Sequence, residues 1–196
     1  ALMAAATATT TLQDAIDLSA QPKSDDLLLL RLLANLNKSI SALWSFNHIH
    51  HSIDVLAGNG AIESFSSLPR LLRDSLVCEN WEGTHNTLYM QILRDINRYK
   101  IDELFTQHMH EIISELPPNK DRMIIQSQLK ILTDNINTIK KDTGELQTLQ
   151  LPKLSKDMMS VYASTHLLKE ALHQHTSNNE NSKYNQWCHF HKQQEV

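Results

Sequence analysis

Ser24-Asp-Asp-Leu-Leu-Leu-Leu-Arg-Leu-Leu-Ala-Asn-Leu-Asn-Lys-Ser-Ile-Ser-Ala-Leu43 decides the fold. Leu29, Leu33, Leu36, Ile40 and Leu43 recur at four- and three-residue steps, which places them on one face of an α-helix. Phe46, Ile49, Ile53 and Leu56 carry the rhythm on along a shifted face, and no Pro or Gly interrupts the run before Gly58. Ser24 is an N-cap candidate, and Asp25 and Asp26 suit the positive end of the helix dipole. Gly58 is expected to cap the other end. A helix this long with one apolar stripe hides it against other helices, so the chain reads as an all-α, antiparallel helical bundle.

The rest of the chain repeats the pattern. Residues 1–20 read as a helix with Leu12, Ile16 and Leu18 as its apolar face, broken by Gln21-Pro-Lys-Ser24. Thr84 to Tyr99 reads as another, running on through Ile101, Leu104, Phe105, Met109 and Ile112 to the break at Pro117-Pro118. Ile125, Leu129, Leu132, Ile136 and Ile139 mark a helix over Asp121 to Lys141. Gly144 and Pro152 frame a loop, after which Leu154, Met158, Val161, Thr165, Leu168 and Leu172 resume the spacing. Ser177-Asn-Asn-Glu-Asn-Ser182 is polar and is expected to fray. Each apolar face covers about three heptads between Pro and Gly breaks, which favours packing within the chain over an intermolecular coiled coil. A soft boundary falls near residue 100: 1–100 form part of a helical-bundle domain, 101–176 a helical extension and 177–196 a disordered tail.

Composition narrows the function. The 196 residues carry a net charge of −4, which argues against a general grip on nucleic acid or acidic membranes. From Lys100 onward, 11 Lys/Arg face 12 Asp/Glu, with no basic stripe. The two cysteines, Cys78 and Cys188, are too few for a disulfide framework and point to an intracellular setting, mitochondrial or cytoplasmic. Arg31 interrupts the run Leu27 to Leu30, so no membrane span is expected. Of His48, His50 and His51, only His48 and His51 share a helical face, and no Cys or acidic partner stands at a ligand spacing. They read as solvated or interface histidines. Cys188-His-Phe-His191 is not expected to be a designed site either, so no metal is expected.

Three of the four glycines lie in two short stretches, Ala57-Gly-Asn-Gly60 and Trp81-Glu-Gly-Thr84. A chain this poor in glycine places it where the backbone needs positive φ or a ligand comes close. Glu82 is a lone carboxylate between an indole and a glycine, just before a helix start that Thr84 can cap. An indole beside a carboxylate desolvates it, which strengthens it as a base toward a carbon acid. The plain alternative is a loop glutamate beside a buried tryptophan.

Taken in order, the long helix, the Ala57-Gly-Asn-Gly60 loop, the Arg73-Asp74 pair and the Trp81-Glu-Gly-Thr84 turn resemble the C-terminal half of the acyl-CoA dehydrogenase family, over roughly Leu27 to Arg94. Trp81, Asn86 and Leu93-Arg94 are most similar to the subgroup that includes the alkylation-response flavoproteins. The resemblance implies an FAD enzyme that removes the α-proton of an acyl-CoA thioester, with Glu82 as base, and passes the β-hydrogen as hydride to flavin. It implies Trp81 and Gly83 at the acyl substrate and Thr84, His85 and Asn86 at FAD. Asp54, Gly58, Asn59 and Gly60 are cofactor-binding by the same resemblance, Asp54 to Gly58 against the FAD of a neighbouring subunit. It further implies a structural Arg73–Asp74 ion pair, a homo-oligomer (dimer or tetramer), and an electron acceptor such as an electron-transfer flavoprotein. It also implies upstream domains, without which this stretch alone is inactive.

Ala57 stands where the family usually has Gly, and Ala61 where it has an aromatic. These departures favour a second reading, a non-enzymatic flavin- or acyl-CoA-binding or scaffold relative. The intact Trp81-Glu-Gly-Thr84 turn favours the first. Oxidation with oxygen as acceptor stays open as a third.

Overall fold

A computed structural model describes residues 1–178 and 180–192. They form α1 (Leu2–Asp17), α2 (Ser24–Val55), a short 3-10 turn (Ala57–Ala61), α3 (Leu68–Asn80), α4 (His85–Tyr99), α5 (Ile101–Ser114), α6 (Lys120–Ile139), α7 (Gly144–Asn178) and α8 (Ser182–Lys192). No strand occurs among the described residues, so the all-α expectation holds.

One apolar core runs through the bundle. Leu33, Leu36 and Ile40 of α2, Ile92 and Ile96 of α4, Phe105 and Met109 of α5, Leu129 of α6 and Met158 of α7 all belong to it. The core therefore draws on residues from both sides of position 100. Helix α7 packs against α1, α2, α4, α5, α6 and α8. Its Tyr162, 1 % exposed, places its hydroxyl 3.2 Å from Thr9 Oγ1. Asn37 Nδ2 donates to Thr9 Oγ1 at 2.7 Å and to the Leu33 carbonyl at 2.9 Å. This short polar chain ties α1, α2 and α7 together, because buried hydroxyls and amides must find partners. Buried carboxylates obey the same rule. Asp95 faces Arg31 at 2.7 Å, and Asp102 accepts from Lys140 at 2.8 Å.

Several local expectations change. Lys23, with extended backbone, stands at the N-cap of α2, and Ser24 is already helical. Helices α4 and α5 are separate because Lys100 adopts φ 52 and ψ 42, a left-handed residue that ends one helix and starts the next. Gly144 and Pro152 frame no loop, since α7 begins at Gly144 and runs through Pro152. A mid-helix proline forfeits one ladder hydrogen bond. Leu151 and Leu154, at 0 % and 2 % exposure, hold the helix across it, so burial overrides local propensity. Leu18 lies beyond α1 and is exposed.

The stretch expected to be a disordered tail contains α8. Its Trp187 is 3 % exposed and donates Nε1–H to Ser164 Oγ at 3.0 Å. Phe190 meets Trp44 edge-on at 5.8 Å. Gln174 Oε1 accepts from the Lys183 amide at 3.0 Å near the start of α8. The polar composition of this stretch conceals an aromatic face at three-residue spacing. Residues 179 and 193–196 of the expected tail lie outside the described residues.

Trp187→Ala should destabilise the chain by about 3–5 kcal/mol, read as a lower urea midpoint, because it empties a packed site and orphans Ser164. A second prediction concerns pH. Burial, helped by His108 and Lys169, holds the His166 imidazole down to about 4, and burial also lowers His108. Unfolded histidine titrates near 6.5. The unfolded chain therefore binds more protons between these values. Stability is complete above pH 6.5 and falls as pH drops toward 4, by on the order of 3 kcal/mol from His166. In His166→Phe, the difference between urea midpoints at pH 7.5 and 4.5 should shrink accordingly.

Candidate functional site

Helix α3 stops at Asn80, and the Trp81 amide still donates to the Val77 carbonyl at 3.0 Å. Two residues of positive φ follow, Glu82 at 56° and Gly83 at 116°. Thr84 is then extended, and its Oγ1 accepts from the Thr87 amide at 3.4 Å, so it caps α4 as the sequence implied. Gly83 is required by its backbone angle. Glu82 is not favoured by its own, since a residue with a Cβ costs about 1–2 kcal/mol in the left-handed region.

The turn is held from outside. Lys38 of α2 donates from Nζ to the Glu79 carbonyl at 3.0 Å and to the Gly83 carbonyl at 2.5 Å. One ammonium thus joins the last turn of α3 to the residue before the α4 cap. Glu79 turns its carboxylate inward, with Oε1 3.5 Å from His85 Nε2. The two His85 ring nitrogens are buried and form no hydrogen bond. The His85 ring lies 6.0 Å from Tyr89. Burial, and then the Glu79 carboxylate, push the Tyr89 phenol up. Neither Lys38 nor Glu79 stands out as a site residue in the sequence. Lys38 carried one signal, a lysine between the core positions Leu36 and Ile40, but its partners lie 41 and 45 residues away.

Of the sequence-predicted residues, Glu82, Thr84 and Asn86 are exposed, Gly83 is half-buried and His85 faces inward. Trp81 is 58 % exposed. Burial of Glu82 by the indole, the sequence expectation, is therefore not realised within this chain.

The second motif sits at the far end of α2. Ala57, with φ 51, takes the left-handed position after the helix, where the sequence placed a Gly58 cap. Gly60 is buried, and a Cβ there would lie 2.5 Å from the Ile53 carbonyl oxygen. Gly58 is open, with nothing within 4 Å of an added Cβ. Asp54 and Asn59 are exposed. Arg73 pairs with Glu63 at 2.5 Å. This replaces the expected Arg73–Asp74 pair, because adjacent helical residues do not face each other.

The two motifs do not meet. From Lys38 to Val55 the rise of α2 is about 25 Å. Helix α3 packs on α2 along this span, so the Glu82 turn and the glycine loop lie at opposite ends of one helix pair. Val55 and Val77 of this pair, Phe65 in the segment joining its helices and Trp81 just past α3 are all more than half exposed. Among the described residues no group of three His, Cys, Asp or Glu is placed to hold a metal, and no helix is long and apolar enough to cross a membrane.

No family model matches the chain. It is 35 % identical over 81 residues to acyl-CoA dehydrogenase family member 11 of Caenorhabditis elegans, a match covering 40 % of this chain and 13 % of that protein. The solved structure titled "Bd2924 apo-form" superposes with a TM-score of 0.69 at 21 % identity, over 85 % of this chain and 30 % of that one. The first relates the chain to the acyl-CoA dehydrogenases in sequence, and the second bears on the fold alone. The chain spans a small part of both relatives.

The loop geometry makes a paired prediction. Gly60→Ala should lower stability by about 1–3 kcal/mol, because its Cβ meets backbone. Ala57→Gly should raise stability by up to about 1 kcal/mol through relief of the left-handed penalty. Urea midpoints of the two variants check both signs.

Proposed function

We propose that this chain is the C-terminal portion of an FAD-dependent acyl-CoA dehydrogenase. The observation that carries the reading is Glu82, presented in a strained left-handed turn between the end of α3 and the capped start of α4. The similarity to acyl-CoA dehydrogenase family member 11 supports it.

On this reading, Glu82 takes the α-proton of the acyl-CoA thioester as general base. Its exposure within the chain leaves the carboxylate open to a substrate seated from outside, with Trp81 as an apolar wall. Gly83 lets the acyl group pass close to the backbone. FAD, when bound, supplies the acceptor for the β-hydrogen as hydride. The residues present fit such a group. Thr84 and Asn86 stand exposed at the start of α4, where free amides favour anionic groups, and His85 would contribute through its backbone. At the other end, Gly58 leaves open space beside exposed Asp54 and Asn59. The separation of about 25 Å along α2 supports assigning that loop, with Gly60 as its packed hinge, to the FAD of a second copy in a dimer or tetramer. An electron-transfer flavoprotein is the proposed partner for reoxidation.

The second reading is a non-enzymatic relative that binds flavin or acyl-CoA, or serves as a scaffold. Ala57 in the left-handed position favours it, because a residue with a Cβ there narrows the approach that a glycine leaves open. An absorption spectrum of the complete protein, purified without added flavin, separates the two. A flavin band that bleaches on adding acyl-CoA supports the dehydrogenase. A colourless protein that takes up no added FAD supports the scaffold.

In the flavin-loaded protein, Glu82→Gln should lower turnover by about 10²–10⁴-fold or more while leaving flavin content unchanged. Near-normal turnover would place the base elsewhere.

A further inference from the structure

We infer that Lys38 is the positioning residue for Glu82: its ammonium bridges the Glu79 and Gly83 carbonyls and holds the left-handed turn from which the Glu82 carboxylate is presented. The inference rests on the reading of Glu82 as base and goes beyond it, because Lys38 lies on another helix, outside both glycine-bearing stretches.

Four observations converge. Lys38 Nζ donates to the Glu79 carbonyl, an oxygen of the last turn of α3 that has no partner within its own helix. The same Nζ donates to the Gly83 carbonyl, directly before the α4 N-cap. Glu82 lies between these two anchors at φ 56, a conformation that its own chemistry disfavours. The lysine itself is rigidly based: Leu36 and Ile40 on either side of it are 0 % exposed, and Ser39 is buried as well. A cation at a helix C-terminus is also favourable to the helix dipole. The Glu79 carboxylate also comes within 3.5 Å of His85 Nε2, beside the start of α4. The clamp therefore fixes backbone on both sides of Glu82 and leaves its side chain free. A general base must be held this way, since an ångström of misplacement costs about 10²-fold in rate.

The test has two readouts. In the chain, Lys38→Met keeps the apolar stem and removes the donors, and Lys38→Arg restores donors to two carbonyls. Amide hydrogen exchange at Trp81, Thr87 and Leu88 should rise about tenfold in Lys38→Met and return toward the original rate in Lys38→Arg, with Leu129 in α6 unchanged. In the complete flavin-loaded protein, Lys38→Met should lower kcat about 10–100-fold with a smaller change in KM, and Lys38→Arg should recover part of it. Unchanged exchange in Lys38→Met overturns the clamp. Faster exchange with unchanged kcat, while Glu82→Gln abolishes turnover, overturns the positioning role alone. Full turnover in Glu82→Gln overturns the reading of Glu82 itself, whatever the exchange rates show, and the positioning role with it.

Discussion

Helix α2 is anchored in the bundle by Leu29, Leu32, Leu33, Leu36 and Ile40, each no more than 7 % exposed. That burial sets the position of everything at the candidate site. A close-packed face allows little rotation or sliding of the helix that bears it. Lys38 emerges from this anchored stretch, so its ammonium has a defined place to reach, and the carbonyls of Glu79 and Gly83 are there to meet it. The conformation of Glu82 thus depends on a core to which Glu82 contributes nothing.

Beyond Ala42, no residue of α2 is fully buried. It leaves the bundle and becomes one member of a two-helix strut with α3, whose 13 residues span about 20 Å. The strut carries the Glu82 turn at one end and the Ala57–Ala61 turn at the other. Val55 and Val77 on its two helices, and Phe65 and Trp81 in the segments beside them, are each more than half exposed. A strut of this length keeps the two motifs apart within one chain. The proposed function accordingly gives each motif its own cofactor contact.

Much of this was legible in the sequence. The four-three spacing of Leu29 to Ile40 and of Ile125 to Ile139 predicts helices and their buried faces, because apolar periodicity reports directly on burial. Thr84 was legible as a cap, since a cap is a contact over three residues. The Gly58 cap was misplaced by one residue: the left-handed position falls on Ala57, where propensity favours glycine. Helix α8 was missed because its aromatic face is thinly spread among polar residues, and only the surfaces of other helices, Ser164 of α7 and Trp44 of α2 among them, make that face worth burying.

The sequence by itself determined that the chain is helical, where most of its apolar faces lie, and which short stretches carry glycine and carboxylate side by side. These properties depend on neighbours within one or two helical turns. The tertiary structure decided the rest. It carried α7 through Pro152 because Leu151 and Leu154 are buried on either side. It turned His85 inward to Glu79 and paired Arg73 with Glu63 instead of Asp74. It also brought Lys38 to carbonyls more than 40 residues away. Such contacts join groups that local sequence leaves independent, and they arise only once the core has set one helix against another.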